Sequence, residues 1–270
     1  MINKIISVFI IFFYNSLFSQ AFSLSGNLEP GNLIIGKGEN IVAVKLNNNP
    51  MDVDNFGNFV FGFDRDDKGT HILTIEFTNK TILKKIKLSK RKYNIQKINK
   101  MDEKLVTAPK EQTERIERER EISKQARAKV GDEKAALYLN GFIKPIEGGR
   151  ISSVFGSQRI LNGTPKSPHN GIDIAVPKGT PVKAMTDGVV RLSADNFYYS
   201  GNYILLDHGQ GLNSVYLHLD TSYVKEGQKV TKGEIIGKVG TTGRSTGPHL
   251  HWGVQWFNKR IDPLTLLEIK

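Results

Sequence analysis

A chain of 270 residues is long enough for one or two domains, and two fit more easily than one at roughly 100–200 residues each. Its 39% hydrophobic and 24% charged residues permit packed cores and exclude wholesale disorder. The net charge is +11, and the absence of cysteine excludes a disulfide scaffold, a cysteine-based zinc finger, an iron–sulfur site, a cysteine nucleophile and a lipidated cysteine.

Residues 1–24 read as a secretory signal peptide. Lys4 forms a short basic start, Ile5 to Phe13 an apolar run, and Ser19-Gln20-Ala21 offers small residues for cleavage after Ala21. The competing reading is a membrane anchor, but the run is short for a ~20-residue span and Asn15 interrupts it. No later segment is long and apolar enough to span a bilayer. The expectation is therefore a periplasmic or secreted chain with no transmembrane anchor after cleavage.

Residues 22–100 read as a small β-sandwich. Asn40–Leu46, Asn58–Phe63, His71–Phe77 and Thr81–Leu88 are alternating or aromatic runs, separated by Asn, Asp and Gly clusters. Residues 101–141 read as a charged helical linker. Within it, residues 109–130 have helical composition, with Pro109 in the first turn and Glu111–Arg115 and Glu114–Arg118 as i,i+4 pairs. Its few apolar residues (Ile116, Ile122, Ala126, Val130) predict a mostly solvated helix that bridges domains. Residues 80–134 carry 18 basic and 9 acidic residues, so most of the positive charge is in the middle of the chain. Within it the Lys-rich stretch 80–104, in an exported protein, fits a solvated face, with attraction to anionic envelope polymers or lipids the weaker option, and not a nucleic-acid patch.

Residues 142–270 have a different texture, rich in glycine and short strands. Thr180–Ala184, Gly188–Leu192, Tyr203–Asp207, Ser214–His218 and His249–Val254 predict an antiparallel β domain.

Five of the six histidines lie between residues 169 and 251. His169 and Asp173 stand four apart around Gly171, which disfavours a helix. They are either a pair of ligands or a loop histidine beside an unrelated acid. His249 and His251 project from one face of a strand, with Leu250 turned away. They are two ligands, a ligand and a catalytic group, or an exposed polar face. His218 and His208 follow or end strands and can face the same cleft, while His71 reads as structural. Three protein ligands and an open position for water make a catalytic zinc site, and His and Asp can supply it without cysteine. Such a site lowers the pKa of its water from 15.7 towards ~7, and further imidazoles can handle protons and the oxyanion.

Residues 148–263 resemble the LytM/lysostaphin-type zinc metallopeptidases. The resemblance is carried by ISSVFGSQR (Ile151–Arg159), HNGIDIAVPKGTPVKAMTDGVV (His169–Val190), the Gly201–Leu219 run and VKEGQKVTKGEIIGKVGTTGRSTGPHLHWGV (Val224–Val254). It implies one Zn²⁺ per chain held by His169, Asp173 and His251, with His218 and His249 as catalytic histidines. His208 matches a recurrent scaffold position and receives no catalytic role. The implied activity is endopeptidase cleavage of peptidoglycan, with peptide stems and cross-links as substrate and envelope division or elongation machinery as the class of partner. The other reading is a non-catalytic peptidoglycan-binding or amidase-activating protein, against which the complete ligand set argues. The amino-terminal region resembles, more weakly, the β domain preceding the peptidase in exported Gram-negative relatives. For the amino-terminal region the favoured expectation is a spacer or docking domain, and the weaker one is latency, with Asn47-Asn48-Asn49 or Met51–Asp54 blocking the metal position.

Overall fold

The structure, a computed structural model, describes residues 22–100 and 106–269. The expected signal peptide, residues 1–21, and the start of the expected linker, residues 101–105, lie outside the described residues. Among the described residues no helix is long and apolar enough to cross a membrane.

The chain is mainly β, with mostly antiparallel sheets and one helix of any length, Thr113–Ala128. Two sheets form the amino-terminal sandwich. One joins strands Phe22–Ser25, Leu33–Gly38 and Asn58–Gly62, and the other joins Ile41–Leu46, Asn49–Met51, Thr70–Phe77 and Thr81–Lys87. Alternation explains most of the second sheet: Val44, Leu46, Leu73, Ile75 and Ile86 point into the shared core, while Leu83 faces solvent; a register shift between Ile41 and Ala43 breaks the alternation and leaves Val42 exposed too. The Asn58–Gly62 strand is instead buried on both faces. Its Phe59 and Phe61 enter the sandwich core, whereas Val60, with Leu33 of the neighbouring strand, enters the core of the following domain. This is why NFVFGF reads as an unbroken apolar run.

The carboxy-terminal region is a ten-stranded sheet. Its central path runs through Gly188–Phe197, Gly201–Asp207, Leu212–Ser222, His249–Trp256, Ile172–Ala175 and Arg150–Ser153. The strands expected from sequence are present, most of them longer: Ser214–His218 extends to Leu212–Ser222, and Gly188–Leu192 to Gly188–Phe197.

Three features depart from the sequence reading. The strand Ile95–Ile98 is not part of the sandwich. It pairs in parallel with Gln158–Leu161 of the carboxy-terminal region, so the first region reaches into the second. The helix is mostly solvent-facing, but it does not bridge domains freely. Ala126, together with Val130 just beyond the helix, packs on Leu192, Tyr203 and Val215, and Glu119 accepts the Tyr198 N–H at 2.7 Å. Arg115 pairs with Glu119 at 2.8 Å, in place of the expected Glu111–Arg115 pair, because Glu119 is already fixed against the sheet. Finally, the two regions are clamped by ion pairs: Arg260 with Asp64 at 2.8 Å, Lys259 with Asp67 at 3.0 Å, and Arg91 with Asp262.

Candidate metal centre

Strand register brings the donors together. In the antiparallel pair of Ile172–Ala175 with His249–Trp256, Asp173 stands directly opposite His251, and Ala175 opposite His249. Leu250 and Trp252 alternate into the core and are fully buried, which leaves both imidazoles on the other face. His169 arrives from the turn before the first of these strands. Gly171 permits that turn: a Cβ there would lie 2.3 Å from the Trp252 carbonyl oxygen, closer than any side chain can approach.

Three donor atoms converge. His169 Nε2 lies 3.0 Å from Asp173 Oδ1 and 3.0 Å from His251 Nδ1, and His251 Nδ1 lies 2.9 Å from Asp173 Oδ1. A tetrahedral ion with bonds of roughly 2.0–2.1 Å holds its ligands about 3.3 Å apart, so this near-equilateral triangle fits such an ion with little adjustment. The electrostatics agree. Burial pushes the His169 imidazole down to about 4, keeping it neutral with a lone pair to donate at neutral pH. Burial opposes ionisation of Asp173, but the adjacent His169 and His251 side chains prevail and hold its carboxyl well below the usual range.

Neighbouring groups orient the donors. His169 Nδ1–H points to the Val154 carbonyl at 3.2 Å and to Ser153 Oγ at 3.0 Å, which leaves Nε2 as the donor. Arg159 Nη2 donates to Asp173 Oδ2 at 2.7 Å, fixing the carboxylate so that Oδ1 faces the histidines.

His218 and His249 face one another across the same cleft, their rings 4.7 Å apart. His218 Nδ1–H donates to the Thr242 carbonyl, and His249 Nδ1–H to the Gly247 carbonyl, both at 2.8 Å. A carbonyl can only accept, so in both neutral rings Nε2 carries the lone pair. His249 Nε2 is 3.9 Å from Asp173 Oδ1, next to the donor triangle. Burial, then the neighbouring imidazoles, pushes His218 down to about 3. His218 also adopts a φ of 63°, the left-handed region that β-strand residues avoid, so its side chain leaves the strand's ordinary alternation.

The cleft, about 740 Å³, contains all five residues singled out from sequence. His208 lies apart in the core. Its Nδ1–H donates to the Asp187 carbonyl at 2.7 Å, and its Nε2 meets Ser214 Oγ at 2.7 Å. His71 belongs to the sandwich, bonded to Asn47 at 2.8 Å. The segments expected to block the metal position do not reach it. Asn47 also caps the Ile72 N–H, Asp52 pairs with Lys134, Asp54 binds Asn58, and none of them lines the cleft. Sequence reasoning missed Ser153, Arg159 and the carbonyls of Thr242 and Gly247. All four lie inside the quoted motifs, Ser153 and Arg159 in Ile151–Arg159 and Thr242 and Gly247 in Val224–Val254, but no role was read for them there.

Three protein donors with nearby basic imidazoles define a metal-dependent hydrolase built on antiparallel β-structure. The comparisons point the same way: residues 167–263 match Peptidase family M23. The peptidoglycan DD-endopeptidase ShyA of Vibrio cholerae is 50% identical over 104 residues, 38% of this chain and 24% of that protein. The DD-carboxypeptidase/endopeptidase Mpg of Neisseria meningitidis is 40% identical over 136 residues, 50% of this chain and 31% of that protein. The chain thus spans about a quarter to a third of these relatives' length. A crystal structure from Pseudomonas aeruginosa assigned to peptidase M23 is similar over 89% of this chain and 95% of its own, with 29% identity and a TM-score of 0.65.

Proposed function

We propose that this chain is an exported zinc endopeptidase that hydrolyses peptide cross-links of bacterial peptidoglycan, in the periplasm or outside the cell. The observation that carries the reading is the convergence of His169 Nε2, Asp173 Oδ1 and His251 Nδ1 within 3.0 Å of one another. These three residues would hold one Zn²⁺. When bound, zinc supplies Lewis-acid polarisation of the scissile carbonyl and an acidified water.

The chain's own residues do the rest. With each Nδ1–H held by a carbonyl, His249 and His218 turn their Nε2 atoms to the cleft. One takes the nucleophile's proton, and the other, once protonated, stabilises the tetrahedral oxyanion or protonates the departing amine. The Thr242 and Gly247 carbonyls hold both rings in the required tautomer. Their N–H bonds also strengthen as positive charge develops on each ring.

Charge in the cleft supports an anionic peptide as substrate. Among the described residues, Arg120, Arg159, Lys166 and Arg244 line it against the single acid Asp173, and peptidoglycan stems carry several carboxylates. Relatives named as DD-endopeptidases point to the same substrate class, with division or elongation machinery as the partners it implies. Export rests on residues 1–24. The test is mass spectrometry of cross-linked muropeptides incubated with the zinc-loaded chain. New peptide termini at the cross-link are expected, and intact dimers under saturating zinc would favour a binding role instead.

A further inference from the structure

The strand Ile95–Ile98 comes from the amino-terminal side of the helix, yet it ends at the metal centre. Its alternation turns Gln96 and Ile98 towards the cleft and Ile95 and Lys97 towards solvent. Parallel pairing sets Gln96 in register with Arg159. Both residues bind the buried Ser153: Gln96 Oε1 accepts the Ser153 hydroxyl at 3.0 Å, and Arg159 Nη2 reaches Ser153 Oγ at 3.3 Å. Ser153 Oγ is in turn 3.0 Å from His169 Nδ1.

The direction of these bonds matters. A serine hydroxyl has one proton. If it went to His169 Nδ1, the proton of a neutral ring would sit on Nε2, the atom that must donate to the metal. Because Gln96 takes that proton, Ser153 can only accept from His169 Nδ1–H, and Nε2 is left free. We infer that Gln96 is a positioning residue: through Ser153, and alongside the Val154 carbonyl that also accepts from His169 Nδ1–H at 3.2 Å, it holds the metal-binding tautomer of His169 and makes the amino-terminal region part of the metal centre. The inference rests on the zinc reading above. It gives the region a role beyond spacing or docking, since undocking this strand would remove the acceptor and weaken the metal's hold.

The experiment compares zinc Kd by chelator competition in the full chain, with visible spectra of the cobalt-loaded protein as a signature of ligand geometry. Gln96→Leu should weaken zinc about tenfold or more, the usual effect of losing a group that orients a ligand, and should alter the cobalt bands. Gln96→Glu keeps an acceptor oxygen and should stay within about threefold of the parent, a rescue that side-chain packing alone does not predict. Ser153→Ala should weaken zinc as Gln96→Leu does, and adding Gln96→Leu to it should cost nothing further. If Gln96→Leu leaves Kd and cobalt spectrum unchanged, or weakens zinc equally in the Ser153→Ala background, the inference is overturned and the zinc reading stands. A parent chain that takes up no zinc would overturn both.

Discussion

The two regions bury different chemistry. The sandwich core is apolar, with Phe59, Phe61, Phe63, Leu73 and Ile75 fully buried, and between residues 22 and 100 only Asn32 and Asn58 are buried polar residues. Between residues 150 and 262 the interior holds His169, Asp173, His208, His218, Asp207 and other polar groups. Burying such groups costs free energy unless each finds a partner. Here most are paired: the partners of His169, Asp173 and His218 point lone pairs and charges at one cleft, while His208 and Asp207 find theirs within the core. The first region thus gains its stability from apolar burial, whereas the second gives up some of that gain to hold reactive groups in place.

The largest effects should come from breaking the donor triangle. His251→Ala and Asp173→Ala should lose stoichiometric zinc and more than about 10³-fold of muropeptide hydrolysis. Metal analysis and the cleavage assay on the same samples check this, and full activity in either variant would refute the ligand assignment. Next come His249→Ala and His218→Ala. Each should keep one zinc and lose roughly 10²–10⁴-fold in kcat, the range for a lost general acid or base. If either variant loses its zinc, that histidine belongs with the ligands.

The opposite pattern is expected in the sandwich. Phe61 is fully buried between Phe59 and Phe63, with ring centroids 6.4 and 5.7 Å away. Phe61→Ala should cost about 3–5 kcal/mol in urea unfolding. Zinc content and kcat of the folded fraction should stay near the parent's. A large fall in kcat would show that the two regions are coupled more tightly than their separate cores indicate.

Much of the site was legible because its donors are close in sequence or share a strand. His169 and Asp173 are separated by one turn, and His249 and His251 by one strand repeat. Strand alternation alone puts the latter pair on one face. Most of the site residues that went unseen depend on pairing between separate segments, although the Gly247 carbonyl is only two residues from His249. Gln96 meets Arg159 only because a strand from before the helix adds in parallel to one after it, and neither local pattern announces this. The two-faced burial of Asn58–Gly62 was visible as an apolar run, but which face met which core was not. The linker helix was recognised by composition, yet its docking depends on Glu119 finding the Tyr198 N–H, a contact that helical periodicity does not encode. The blocking segments failed for the same reason: Asn and Asp clusters mark turns, and here their side chains satisfy their own turns and edges.

A smaller effect should appear with pH. Burial pushes His208 down to about 4, from an ordinary value near 6.5. Above 6.5 it is neutral whether folded or unfolded and contributes no pH dependence. As pH falls from 6.5 towards 4, the unfolded chain takes up a proton that the folded core refuses, so stability declines across that window. The cost from His208 alone is at most about 3 kcal/mol. Urea unfolding of the metal-free chain at a series of pH values should show the decline, and His208→Asn should reduce its slope.

The smallest expected change lies at the one histidine outside the peptidase region. His71 stacks against Phe63 at 4.8 Å, and its Nε2 is buried with no hydrogen-bond partner among the described residues. Its Nδ1 side has Asn47 at 2.8 Å. Replacing it by phenylalanine relieves the unsatisfied nitrogen and extends the aromatic cluster, but leaves the Asn47 amide to turn to solvent. These effects oppose each other, each of order 1 kcal/mol, so His71→Phe should change unfolding stability by less than about 1 kcal/mol. Zinc affinity and hydrolysis should not move at all. A loss of zinc in this variant would break the contrast between the regions, because it would place a sandwich histidine in the service of the metal centre.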